Sequence, residues 1–498
     1  MNPLRQLASQ TAIYGLSSIV GRLLNYLLVP LHTRVFAPEA FGVVTEMYSY
    51  VAFLLVVLTY GFETAFFRFA REKAQEPAVY STALVSLAAS SALFVGLVWL
   101  FAGPLAAAMD YSGKEHYLIW FALILALDAV TAIPFARLRL QQKPLRFAAF
   151  RLINIAINIA LNLFWLLLCP MLARENAPAW LELVYAPSMG LAYVFLANLI
   201  ASIATFVLLL PDMLRHEWRL SKVLWISMLS YGLPLLVGGL AGITNEMFSR
   251  VSMKYQLEGE DALYQLGIFG ACYKVSVLMT LFVQTFRFAA EPFFFSRAAD
   301  KNAPGLYATV MHWFIIACSA IYLGVMLFME YIAHFVGEEY REGLGVVPVL
   351  LMANLLLGVY YNLSIWYKLN DRTGLGAWMA VGGAVLTIIL NFLWIPEFGY
   401  VGASWATLVV YLSMVLVSYF LGAQFYPIPY KLLKCVGYPL AAVGLALLFG
   451  QISGDDQAFN WLLRLLILLV FVAVVYRLED IKKPLPSPGS KSANKHED

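Results

Sequence analysis

Tyr14-Gly15-Leu16-Ser17-Ser18-Ile19-Val20-Gly21 opens the first long apolar run of this sequence, and Tyr231-Gly232-Leu233-Pro234-Leu235-Leu236-Val237-Gly238 opens the seventh. Five of the eight positions are identical at an offset of 217 residues. At an offset of 228, Phe41-Gly42 meets Phe269-Gly270, and Glu63-x-x-Phe66-Phe67 meets Glu291-x-x-Phe294-Phe295. A longer loop in the second copy accounts for the change of register. Six apolar runs separate the copies, and six is even, so both copies enter a membrane from the same side. That is a parallel repeat, two lobes related by an axis along the membrane normal.

The runs number fourteen, and little of the chain lies outside them. Of 498 residues, 61% are hydrophobic and only 13% charged, with mean hydropathy +0.75. Soluble domains carry about 25% charged residues, and about 20 apolar residues suffice to span a bilayer as a helix. The sequence therefore predicts an all-α polytopic membrane protein of fourteen transmembrane helices, arranged as two six-helix parallel-repeat lobes plus two extra helices. The expected divisions are residues 1–221 (first lobe), 222–424 (second lobe), 425–476 (the added pair) and 477–498, a polar tail of disordered composition. The first run, at 11–33, is too long for a signal h-region and lacks a cleavage site, so it is expected to remain as a span.

Loop charge sets the threading. With the N-terminus in the cytoplasm, 22 of the 33 Lys and Arg fall in cytoplasmic segments, as the positive-inside rule requires. An even number of spans returns the C-terminus to the same side. On this threading Arg250 and Lys254 fall in an outer loop after a seventh span at 223–248. The net charge of +3 sits in short loops and the tail, which gives no reason to expect a nucleic-acid partner. Cys169, Cys272, Cys318 and Cys435 show no CxxC or Cys/His spacing and read as small buried apolar residues. No metal site, cofactor or catalytic constellation is expected. The short loops also leave no room for the soluble or re-entrant domain that a membrane polymerase or ligase needs, which makes that the remote alternative.

Two further stretches carry a family resemblance. Phe36-Ala37-Pro38-Glu39-Ala40-Phe41-Gly42 lies between the first two runs, and Pro396-Glu397-Phe398-Gly399-Tyr400-Val401-Gly402-Ala403-Ser404-Trp405-Ala406-Thr407 enters the twelfth. With the six-plus-six-plus-two plan, the chain resembles the polysaccharide-transporter branch of the multidrug/oligosaccharidyl-lipid/polysaccharide exporter superfamily, the Wzx-like oligosaccharide flippases, with MATE-like architecture. The resemblance implies a multi-pass protein of the bacterial inner membrane. It implies translocation of undecaprenyl-pyrophosphate-linked oligosaccharide by alternating access, for surface polysaccharide or lipopolysaccharide biosynthesis. The lipid-linked substrate and membrane lipids would be its partners, with a polymerase and other assembly proteins nearby. Coupling to H⁺ or Na⁺ is open. Two alternatives within the superfamily also stay open: a cation-coupled drug exporter and a lipid II flippase. Against the latter, Tyr26 and Leu28 stand where related lipid II flippases carry a second arginine.

Charges within the runs supply the candidate site, because a charge at membrane depth is costly and usually faces a cavity or a partner. A pyrophosphate needs cations, and Arg can grip it bidentately. Arg22 and Lys274, one from each lobe, are the first candidates for substrate binding, followed by Arg250 and Arg287. Asp128, Glu63, Glu291, Glu246 and Pro234 are candidates for coupling or gating. Each has a structural alternative: Arg22 pairing with Asp128, Lys274 with Glu46, Glu246 with Arg250 four residues on, Arg287 snorkelling to the surface, and Glu63 and Glu291 pairing with Arg68 and Arg287. Pro234 with Gly238, Gly239 and Gly242 reads either as a bending gate or as close helix packing.

Overall fold

The computed structural model describes residues 20–479 apart from 22, 72–73, 175–177, 216, 299 and 301. Every regular element among the described residues is helical. The principal helices are α1 (Leu28–Val35), α2 (Pro38–Thr59), α3 (Phe62–Phe69), α4 (Glu76–Leu100), α5 (Glu115–Leu140), α6 (Pro144–Leu163) and α7 (Ala192–Leu214). They continue as α8 (Lys222–Gln256), α9 (Gly259–Ser296), α10 (Ala303–Leu327), α11 (Val347–Leu363), α12 (Thr373–Phe425), α13 (Leu432–Ile452) and α14 (Gln457–Leu478). Twelve helical stretches are long and apolar enough to cross a membrane, α2 and α3 counting as one.

The difference from fourteen has two sources. The first half of the first expected run, residues 11–19, lies outside the described residues together with Arg22, and so do Tyr14 to Ile19 of the opening repeat; α1 is the run's end. The eleventh and twelfth runs are joined in α12, whose 53 residues would reach about 80 Å at 1.5 Å per residue. A hydrocarbon core of ~30 Å cannot contain that as one crossing. At Gly399 the backbone takes φ 54 and ψ −135, and beyond it the chain returns along itself. A Cβ built on Gly402 would lie 2.5 Å from the Trp394 carbonyl oxygen, and one on Gly383 would lie 2.7 Å from Met414 Sδ. These pairs are nearly symmetric about Gly399, so α12 is a hairpin of two antiparallel arms. Gln265 Oε1 accepts from the Tyr400 N–H at 3.2 Å and sits 1.8 Å from where a Gly399 Cβ would be. Gly399→Ala is therefore expected to cost about 2–3 kcal/mol, from positive-φ strain plus displacement of Gln265. A lowered thermal midpoint of the purified protein would register it.

The α2–α3 junction is also made by glycine. Tyr60 (φ 31) and Gly61 (φ 75) break the helix. A Cβ on Gly61 would meet the Gly232 carbonyl oxygen at 2.7 Å, and one on Gly232 would meet the Tyr60 carbonyl oxygen at 2.5 Å. The two chains touch backbone to backbone, which only glycine on both sides permits. At the other end of α2, Gly42 sits against the Leu263 carbonyl and Gly267 against that of Pro38, so α2 and α9 are equally close. Pro234 leaves α8 unbroken. A Cβ built on Gly239 would lie 3.1 Å from Val56 Cγ1, but Gly238 and Gly242 face open space, so close packing accounts for only one of the three glycines.

The chain forms two compact units. One holds α1–α9, α11 and α12; the other holds α10, α13 and α14. In the second unit, two polar contacts fasten α10 to the terminal pair. Glu479, just past α14, accepts from Lys434 Nζ at 2.8 Å and Tyr438 OH at 2.7 Å, with His312 Nε2 2.9 Å away. Near the far end of α10, Arg464 donates to Glu330 at 2.6 Å and to the Tyr331 hydroxyl at 3.3 Å. Its guanidinium is enclosed by Phe328, Tyr331, Phe449 and Trp461.

Burial alone would raise the Glu479 carboxyl, but the contacts from Lys434, Tyr438 and His312 outweigh it and hold it at about 2. Because the folded value lies below the ordinary 4.5, this stabilisation is present above pH 4.5. It is lost as pH falls from 4.5 to about 2. Glu479→Gln is expected to lower the thermal midpoint at neutral pH and to flatten its fall over that acid window. Three of the expected apolar cysteines, Cys169, Cys272 and Cys318, are buried, Cys435 is half-buried, and all four are free thiols.

Candidate functional site

A cavity of ≈ 350 Å³ lies inside the first unit, walled by residues 25–32, α2, α6 and α7 on one side and by α8 and α9 on the other. Helical spacing brings its side chains to one face of each helix. Asn25, Val29 and His32 face it from the first segment, Thr45 and Tyr48 from α2, and Glu246 and Arg250 from α8. Lys274 and Tyr273 face it from α9.

Two cations stand on the α8–α9 wall. Arg250 is only 5% exposed. Its Nη1 donates to the Glu246 backbone carbonyl at 2.8 Å, and its guanidinium lies 4.2 Å above Tyr273 and 5.6 Å from Phe269. Lys274 Nζ lies 5.1 Å from the Tyr26 ring centre. Aromatic faces attract these cations by roughly 1–2 kcal/mol each without neutralising them. Among the described residues no carboxylate lies within 4 Å of either. Glu246 is the one carboxylate on the cavity wall.

Several expected pairs are replaced by others. Lys274 does not pair with Glu46. Glu46 is fully buried and accepts from Tyr50 OH at 2.9 Å and from Tyr111. Glu246 and Arg250 meet through the backbone carbonyl rather than the carboxylate, so the i,i+4 ion pair is not formed. Arg250 and Lys254 also lie within α8, eight residues of which extend past the span expected at 223–248. Polar residues end the hydropathy signal there, but the helical hydrogen bonds continue. Lys254 Nζ is 3.5 Å from Asp110, and Tyr255 OH meets Tyr50 OH at 2.8 Å, which ties α8 to α2 and to the turn after α4.

The two matched glutamates are paired across helices. Glu63 binds Arg139 of α5, and Arg68 instead lies 4.4 Å over Tyr231. Glu291 binds Lys368, beyond α11, with Arg287 farther off at 3.9 Å. Arg287 does not snorkel freely; it stacks 4.8 Å from Tyr361. Glu63 to Glu291 is an offset of 228 and Arg139 to Lys368 one of 229, so the halves place like ion pairs at like positions. Asp128 accepts from Ser202 Oγ at 3.1 Å and is not part of the cavity wall. Arg22 lies outside the described residues, and its expected pairing with Asp128 with it.

The facing wall is lined by neutral carboxamides, which the charge pattern of the sequence does not mark. Asn154, Asn158 and Asn162 follow one another at intervals of four along α6, with Asn198 beside them on α7 and His32 opposite. His32 Nε2 meets Asn162 Oδ1 at 2.9 Å. The spacing was visible in the sequence, but a neutral carboxamide gives no charge signal.

The arrangement is a helical core with a cavity that holds two cations, and solved structures share this fold. The chain is similar to a lipid II flippase, MurJ, in its inward closed conformation, with TM-score 0.71 at 13% identity over 94% of this chain and 99% of that one. It is similar to a multidrug resistance MATE family transporter of the MOP superfamily in an inward-facing conformation, with TM-score 0.62 at 12% identity over 83% and 94%. The fold is therefore the one shared by MurJ and the MATE proteins. The polysaccharide biosynthesis protein family model matches residues 7–298, and the chain belongs to that family. No curated protein matches the sequence.

Proposed function

We propose that this protein turns a lipid-linked oligosaccharide diphosphate from one leaflet of the bacterial inner membrane to the other, by alternating access between two lobes. The observation that carries this reading is the placement of Arg250 and Lys274. Two cations without a carboxylate partner among the described residues face an internal cavity, where an anion would complete them. The family, with its role in polysaccharide biosynthesis, supports a lipid-linked substrate. In this proposal the chain makes fourteen crossings, the α12 hairpin supplying two of them, and both termini are cytoplasmic by loop charge. The matched pairs Glu63–Arg139 and Glu291–Lys368 support the repeat of two six-helix lobes, 1–221 and 222–424. A cation-coupled drug exporter is disfavoured because such cargo needs an acidic cavity, and here Glu246 faces two cations. A lipid II flippase would use the same cavity chemistry.

The test is reconstitution. Purified protein in liposomes is given a fluorescent polyprenyl-diphosphate-linked oligosaccharide, and its exposure on the outer face is followed with a membrane-impermeant quencher. Protein-dependent exposure is expected. No exposure above that of empty liposomes, with correctly inserted protein, would overturn the proposal.

A further inference from the structure

The carboxamide wall opposite the cations has a hydrogen-bonding pattern of its own. Asn162 is fully buried. Its Oδ1 faces His32 Nε2 at 2.9 Å, and its Nδ2 donates to the Asn158 carbonyl at 2.8 Å and to Asn158 Oδ1 at 3.1 Å. Asn162 therefore orients Asn158, whose own Nδ2 finds no acceptor among the described residues. Asn154 donates Nδ2 to Thr205 Oγ1 at 2.9 Å, and Asn198 donates Nδ2 to Tyr48 OH at 2.8 Å. Each keeps its Oδ1 as an acceptor. The wall thus offers one oriented N–H₂ donor and two carboxamide acceptors, held in place by these hydrogen bonds.

These groups are all neutral. Charge and carboxamide are divided between the two walls: Arg250, Lys274 and Glu246 come from α8 and α9, and the asparagines from α6 and α7. Among the described residues, a diphosphate finds its cations, Arg250 and Lys274, on one side. Hydroxyl and acetamido groups, each both donor and acceptor, match the other side. Among the described residues, a carboxylate there would meet acceptor oxygens and no cation, and a buried unpaired charge is rejected far more strongly than a misfitted methylene.

We infer that Asn154, Asn158 and Asn198, with Asn162 as the positioning residue behind them, form a sugar subsite that takes an uncharged first sugar next to the diphosphate held by Arg250 and Lys274. The inference rests on the proposed function and adds to it the polarity of the cargo in the cavity and a selection among glycans.

Three short-chain probes test it on the full-length purified protein: geranyl diphosphate, geranyl-diphospho-N-acetylglucosamine and geranyl-diphospho-glucuronic acid. The N-acetylglucosamine probe is expected to bind about tenfold more tightly than geranyl diphosphate, the equivalent of one or two good hydrogen bonds. The glucuronic acid probe should show no such gain. Asn158→Leu should erase the tenfold gain while geranyl diphosphate affinity stays within twofold. Asn154→Ala, which keeps a strong helix former in α6, should reduce the gain about threefold and guards against misfolding of the leucine variant. A gain that survives both substitutions, or an equal gain for the glucuronyl probe, overturns the subsite. Loss of geranyl diphosphate binding from the wild-type protein would instead overturn the underlying assignment of the cations.

Discussion

Lys274→Glu should reduce the initial rate of lipid-linked oligosaccharide exposure in liposomes by at least about 100-fold, with protein level and thermal midpoint little changed. The size follows from the chemistry. A charge-assisted hydrogen bond to phosphate contributes about 1.5–3 kcal/mol, and each 1.4 kcal/mol is a factor of ten. Reversal adds repulsion in a cavity where water screens poorly. The loss of stability should be limited to the Tyr26 contact at 5.1 Å, because no carboxylate among the described residues lies within 4 Å of Lys274. Lys274→Arg should keep most of the rate, since the charge survives and only its geometry changes. Arg250→Ala should lie between them. It removes a cation, but it also removes packing against Tyr273 and a bond to the Glu246 carbonyl, so its midpoint should fall as well. A Lys274→Glu protein that flips at the wild-type rate would remove Lys274 from the substrate path.

The helices were legible in the sequence and their side-chain partners were not. Apolar runs fix where a chain can cross a membrane, because every unpaired backbone group in lipid is costly and only a helix satisfies them all locally. That signal fails where polar residues continue a helix, as from Ser249 to Gln256 in α8. It does place the return of the chain between the eleventh and twelfth runs, where Gly399 closes the hairpin. Partner choice depends on how helices are rotated against each other. Glu63 chose Arg139, 76 residues away, over Arg68, five residues away, because Arg68 turns toward Tyr231. Lys274 and Glu46 are equivalent by repeat, yet equivalence puts them in like places on different lobes rather than in contact. Lys274 was found because charge at membrane depth is conspicuous, whereas Arg250 was noticed at the outer end of the seventh run, four residues from Glu246. The asparagines were missed because a carboxamide costs little there and changes no charge count.

Glu291→Lys is expected to lower the thermal midpoint and abolish transport, and Glu291→Lys combined with Lys368→Glu to restore both. The single change sets three cations together, the new lysine with Arg287 and Lys368, where one carboxylate now joins two. Glu291 and Lys368 are 35% and 28% exposed, so solvent screening limits the loss to about 1–3 kcal/mol. The exchange restores an opposite pair at the same junction of α9 with the segment after α11, so the coupling energy in the double-mutant cycle should recover most of that loss. Glu63→Arg with Arg139→Glu should behave alike at the matched junction of α3 and α5. Transport is the deciding readout. If the pairs only fasten the helices of each lobe, the exchanged proteins fold and transport. If Glu291 itself carries a coupled proton or cation, the exchanged protein recovers its midpoint but not its transport, because the acid has moved to another helix. The pair geometry favours fastening: each glutamate already has its cation, and the same arrangement recurs in both halves, where a single coupling site would need only one.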